Sequence, residues 1–238
     1  MRVALWTPAL SGWAAALAAQ LERELDLTLV RAEPRARPAA DLDLYHVAGS
    51  PEHGFVYRAL RQRPGIVLLA EWGLHALVHA ETAGRGDARA YLREARHAHG
   101  DIGVFVARQV LAGMGGALPG LVAMNQRVLE ASLVIVALTE AIRERSTAAV
   151  TGCPVVFLPL AEADAAASAA SLVALIALIA QAAPRADALR EDIATRAAAT
   201  GPRARAEDEL RWVARELGLA EPPADARALV AGLFDEGR

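Results

Sequence analysis

Lysine is absent from the 238 residues: every basic residue is arginine, and 25 of them stand against 28 aspartates and glutamates, for a formal charge of -3. A balanced, slightly acidic chain lacks the basic footprint of a nucleic-acid binder, so no nucleic-acid partner is expected. There is a single cysteine, Cys153. That excludes an internal disulfide framework and any cysteine-rich zinc site, and it fits a reducing compartment, so a cytoplasmic location is expected. Aromatic residues make up only 5% of the chain, while alanine is its commonest residue. That skew reflects coding bias as much as chemistry.

Long membrane-type runs are also lacking. The N-terminus has an arginine followed by apolar residues, but Pro8 and Ser11-Gly12 interrupt it too early for a signal sequence. Ala165 to Ala183 carries no charge, yet much of it is Ala and Ser, and its strongly apolar centre, Leu172 to Ile179, is short. A buried helix is expected there; contact with lipid is conceivable from the composition but is not predicted.

What is present is a chain 54% hydrophobic, long enough for a sizeable core. Its first 160 residues alternate short apolar runs with helical patterns. Strands are predicted at Arg2–Trp6, Leu27–Arg31, Leu42–Ala48, Ile66–Leu69, Leu133–Ala137 and Val155–Leu158, with helices at Gly12–Leu25 and around Phe55–Arg61. Such alternation predicts an α/β fold, a Rossmann-like parallel sheet with helices on both faces. Between the fourth and fifth strands lies a mostly helical insertion, residues 73–131. Within it, Asp87 is placed to cap a helix with Tyr91, Leu92, Ala95 and Ala98 at helical spacing. Met114 to Gly120 reads as a loop, Asn125 or a neighbour starts a further helix, and Thr139-Glu140 caps Ala141–Ala148. Residues 161–238 are Ala-rich and broken at Pro184, Gly201-Pro202 and Pro222-Pro223. They read as a helical segment, including Glu207–Leu217, that packs on the sheet domain or on a partner.

All six histidines lie between His46 and His99. His46 falls in the third strand, His53 just past it, and His75 and His79 past the fourth. Ligand crevices in open parallel sheets lie at the carboxyl ends of strands, so His53, Glu71 and His75 are candidates for one cleft. Glu71 follows a buried strand directly and suits either a base or a helix cap. His75 and His79 have the spacing of a helical metal pair, but Ala76 stands where a zinc-protease motif needs Glu, and no metal is expected. His97 and His99 point to different helix faces, and Cys153 reads as a small buried hydrophobe. The loop Thr7 to Gly12 opens a helix whose free N–H groups suit an anion, although it is not the Gly-x-Gly-x-x-Gly fingerprint.

Several stretches together resemble the N-terminal half of the retaining family-four glycosyltransferases of the GT-B fold. Trp6-Thr7-Pro8 with Ser11-Gly12 is similar to that family's Trp-Ser-Pro…Ser-Gly. Ala48-Gly49-Ser50-Pro51-Glu52-His53-Gly54-Phe55-Val56-Tyr57 is similar to its Gly-Asn-Ser-Pro-x-His-x-Phe-x-Tyr. Arg63-Pro64-Gly65 through Ala70-Glu71 to Leu74-His75-Ala76 follows its Arg-Pro-Gly-(four apolar)-His-Asp…Leu-His-His, and Ala90-Tyr91-Leu92, Asn125, Val128-Leu129-Glu130 and Pro154–Pro159 also fall in step. The likeness covers residues 1–160. It implies an acceptor-side domain in which Glu71 and His53 stand near the reacting hydroxyl and Ser11, Gly12, Ser50, His75 and Asn125 contact substrate, with a nucleotide sugar as substrate and no cofactor.

The departures are as informative. No second set of alternating strands, which would carry the family's Glu–seven residues–Glu donor motif, can be read in the sequence. The family's His-Asp is Ala70-Glu71 here, and its Asn is Gly49. The resemblance therefore implies half of a sugar-transferring enzyme that needs a separately encoded donor-domain partner. The alternatives are a non-catalytic descendant that binds glycan or protein, and a small complete enzyme of another class using the histidine-rich cleft; the apolar surface left by the missing domain predicts self-association or a partner.

Overall fold

A computed structural model describes residues 1–8, 12–114, 116–149, 153–158 and 165–182. Ser11, Glu207–Leu217 and the Pro/Gly breaks after residue 182 lie outside the described residues. The described chain forms two compact units. The first comprises residues 1–48 and 52–72 and the chain from Val128 through the last described helix. The second comprises 49–51 and 73–127.

The first unit is built on six parallel strands: β1 (Arg2–Trp6), β2 (Asp26–Val30), β3 (Leu42–Val47), β4 (Gly65–Leu69), β5 (Ser132–Ala137) and β6 (Val155–Phe157). Their order across the sheet is β2-β1-β3-β4-β5-β6. The fold is thus the α/β, Rossmann-like parallel sheet expected from the apolar alternation. Central strands β4 and β5 are buried at every residue, which is why they read as unbroken apolar runs.

Period-two alternation sorts the side chains. Val3, Leu5, Leu42, Leu44, Ile66, Leu68, Val134 and Val136 join one cluster with Leu17, Ala18 and Leu21 of α1 (Trp13–Glu24) and Ala169, Leu172 and Ile176 of α7 (Ala165–Ala182). Each fully buried Leu or Ile contributes about 1.5–3 kcal/mol, so this face alone holds a large share of the apolar stabilisation. On the other face Trp6, Tyr45 and Phe55 pack as tilted rings at 6.0 and 6.5 Å, Phe55 coming from α2 (Gly54–Gln62). Beneath them Asp43, with a side chain of 0% exposure, accepts from Trp6 Nε1 at 2.8 Å and from Arg37 at 3.0 Å, and Arg63 lies 3.4 Å away. A buried carboxylate is tolerated because its charge is matched by these donors.

Two sequence expectations change here. The second strand begins one residue early, at Asp26, and ends at Val30. The apolar helix α7 is buried on one side only: Ala169, Leu172 and Ile176 are inside while Ala170, Ser171, Ala174 and Ala177 are exposed. Ala170, Ser171, Ala174 and Ala177 fall on one stripe, opposite the residues that meet the sheet cluster. Thr139 Oγ1 accepts from Ile142 N at 3.2 Å and caps α6 (Glu140–Ala149).

The second unit is helical. It holds α3 (His75–Glu81) and α4 (Ala88–Leu111), and α5 (Gln126–Ala131) leads back to β5. Asp87 caps α4 by accepting from Ala90 N at 2.8 Å. The helix is broken at His99 and Gly100, the latter at φ +60°, where glycine alone avoids a steric penalty. The loop expected from Met114 to Gly120 contains a short 3₁₀ turn, Leu118–Leu121, started by Pro119 in its first turn.

Candidate functional site

The order in which strands are added reverses between β1 and β3, and in doubly wound sheets of this order the ligand crevice lies at that switch point, outside the carboxyl ends. Thr7 follows β1, and His46 is the penultimate residue of β3. The alternation that buries Leu42 and Leu44 under α1 carries His46 to the same face, where its Nδ1 lies 3.0 Å from Thr7 Oγ1. Trp13, the first residue of α1, meets the His46 ring edge-on at 5.3 Å. These side chains, with Leu5, Ala14, Leu17 and Leu68, line a cavity of about 10 Å³, the room of one water molecule.

His53 lies beside them. Its Nδ1 is 2.9 Å from the His46 carbonyl, which can only accept, so the proton sits on Nδ1 and the Nε2 lone pair is available. The two imidazoles stand edge to face at 5.0 Å. Burial pushes His46 down to about 4, with the neighbouring His53 adding to the effect. Burial also lowers His53, opposed by its bond to the His46 carbonyl and by the charges of Glu71 and Glu52. Both rings are therefore neutral at neutral pH. Glu71 is exposed just past β4, close enough for its charge to act on His53. This edge brings together two of the anticipated residues, His53 and Glu71.

The other anticipated residues are distributed as follows. Gly12 is exposed at the N-cap of α1 with φ +51° and ψ -128°, a conformation only glycine adopts readily, and its carbonyl accepts from Ala16 N at 3.2 Å. Ser50 is exposed in the turn after β3. His75 and Asn125 belong to the second unit and are buried. His75 donates from Nδ1 to the Val122 carbonyl at 3.2 Å and accepts at Nε2 from the Tyr91 hydroxyl, so both ring nitrogens are engaged. His79 meets Tyr91 edge-on at 5.1 Å, and burial raises the Tyr91 phenol to about 12. His99, buried at the α4 break, accepts from Met124 N at 3.2 Å, while His97 is half-buried. Met124 has φ +53°, a left-handed conformation rarely adopted by a non-glycine residue, and the Leu74 N–H to Ala123 carbonyl bond at 2.7 Å helps hold it. Among the described residues no three His, Cys, Asp or Glu side chains group as a metal ion requires, and no described helix is long and apolar enough to cross a membrane.

Thr7, Trp13 and the paired role of His46 went unrecognised in the sequence. The period-two register Leu42, Leu44, His46 was the available signal for His46; nothing local marked Thr7 or Trp13 as its neighbours.

The fold and this edge define a Rossmann-like α/β protein with a histidine-lined switch point. No family model matches the chain, and no curated protein or solved structure matches it significantly.

Proposed function

We propose that the chain is a glycosyltransferase-like protein whose sheet edge forms the acceptor-side wall of a sugar-transfer site, completed by a donor-binding partner. The observation that carries the reading is His53: a neutral imidazole, its proton held on Nδ1, at a strand carboxyl end with the Glu71 charge nearby. An Nε2 lone pair is suited to accept the proton of a sugar hydroxyl, and Glu71 stabilises the imidazolium that forms. The resemblance over residues 1–160 supplies the substrate class, a nucleotide sugar with a glycan acceptor in the cytoplasm. A donor-domain partner supplies the cationic groups for the departing diphosphate, and holding the two reactants together provides most of the rate.

A second reading, non-catalytic binding of glycan or protein at the same edge, is supported by the departures from the family pattern, Ala70-Glu71 in place of His-Asp and Gly49 in place of Asn. Calorimetric titration with UDP- and GDP-sugars separates the two. Sugar-nucleotide binding that appears only when a candidate donor-domain protein is added supports the split enzyme. Glycan binding without turnover in that mixture supports the second reading. Absence of both overturns the proposal.

A further inference from the structure

The His46 ring does no chemistry in the scheme above, yet its neighbours at the edge constrain it. Three groups hold it: Thr7 Oγ1 at 3.0 Å from Nδ1, the Trp13 ring edge-on at 5.3 Å, and the His53 ring edge-on at 5.0 Å. Strand β3 fixes its backbone through the parallel register that pairs His46 with Leu68. The same residue offers its carbonyl to His53 Nδ1 at 2.9 Å. Thus one residue touches His53 twice, once through the backbone and once through the ring.

We infer that His46 is the positioning residue of this site: its carbonyl places the His53 proton on Nδ1, and its Thr7-anchored ring blocks rotation of the His53 imidazole away from that carbonyl. An imidazole beside one carbonyl can still turn about its Cβ–Cγ bond, since that torsion is broad; the turn takes Nδ1 away from the carbonyl, and the proton can then move to Nε2 through solvent. The edge-on His46 ring closes the space such a turn needs. The charged groups acting on His53 are Glu71, past β4, and Glu52, in the turn before α2; both favour protonated His53 but neither selects a nitrogen. Selection is left to His46. The use of the freed Nε2 as a proton acceptor rests on the sugar-transfer reading, whereas the selection of the tautomer does not.

The test is two-dimensional nitrogen–proton NMR of the ring nitrogens in the full chain, labelled with ¹⁵N-histidine, at neutral pH and without any sugar. Wild type is expected to show His53 as a single tautomer, with Nε2 unprotonated. His46→Leu keeps the carbonyl and removes the ring, and should convert His53 to a mixture of tautomers. Thr7→Val removes only the anchor of the His46 ring and should also give a mixture, which decides the matter should the leucine variant not fold. A single Nδ1-protonated His53 in folded His46→Leu, or in Thr7→Val, overturns the inference. Wild type with the fixed tautomer but no sugar-nucleotide binding in any mixture would leave it standing and remove the proposed function instead.

Discussion

Acid should weaken this protein through His46, and the size of the effect follows from its burial. In the folded chain His46 titrates near 4 because burial disfavours its charged form, whereas an unfolded histidine titrates near 6.5. The native state therefore binds fewer protons than the unfolded one between these values. Stability attributable to His46 is intact above pH 6.5, falls as pH drops through the window, and levels off below about 4. The slope is about 1.4 kcal/mol per pH unit; allowing for the part of the ring that solvent reaches, the loss between pH 6.5 and 4.5 comes to about 2 kcal/mol. Against a typical total of about 5–15 kcal/mol, that is measurable by urea unfolding at the two pH values, followed by tryptophan fluorescence. His46→Phe keeps the edge contacts with Trp13 and His53 but cannot titrate, so its acid loss should be smaller by that amount. His53, also lowered by burial, still titrates in the variant and contributes the same sign of slope to both proteins. Equal acid losses in wild type and His46→Phe, within about 0.5 kcal/mol, would refute the reasoning.

Other substitutions probe the frame around the site. Asp43→Ala removes a fully buried carboxylate and strands Trp6 Nε1 and Arg37; because the arginines remain partly exposed, a loss of about 2–4 kcal/mol in urea unfolding is expected, with Asp43→Asn intermediate. Gly103→Ala would set a Cβ 2.1 Å from the Ala95 carbonyl across the break in α4, so helical content and thermal midpoint should both fall; an unchanged midpoint would mean the two halves of α4 do not approach so closely. Cys153, buried and raised to about 12 by burial, should resist a thiol reagent in the native protein and react promptly in urea, and rapid native labelling would contradict its placement.

The class of fold was legible in the amino-acid order because each strand announces itself within a few residues. Ile66–Leu69 and Leu133–Ala137 are unbroken apolar runs because both faces of a central parallel strand are covered, and Asp87 and Thr139 stand where capping chemistry puts them. Position past a strand end also marked His53 and Glu71. The 3₁₀ turn at Leu118–Leu121 and the one-sided burial of α7 were not legible, since each depends on what packs alongside.

Tertiary structure alone decided the rest. Strand order is set by pairings between residues about twenty to seventy positions apart, for which the chain carries no local signal. That order brings Thr7 from the end of β1 to His46 at the end of β3, thirty-nine positions away, and makes the turn after β3 fold His53 back against the same ring. Within the second unit, helix packing joins His75 to both Tyr91 and Val122. Local sequence determines which residues are strand, helix or cap, because hydrophobic period and capping act over a few positions. Which nitrogen of a histidine keeps its lone pair depends on the single carbonyl that packing places within 3 Å, and only the folded sheet supplies that carbonyl.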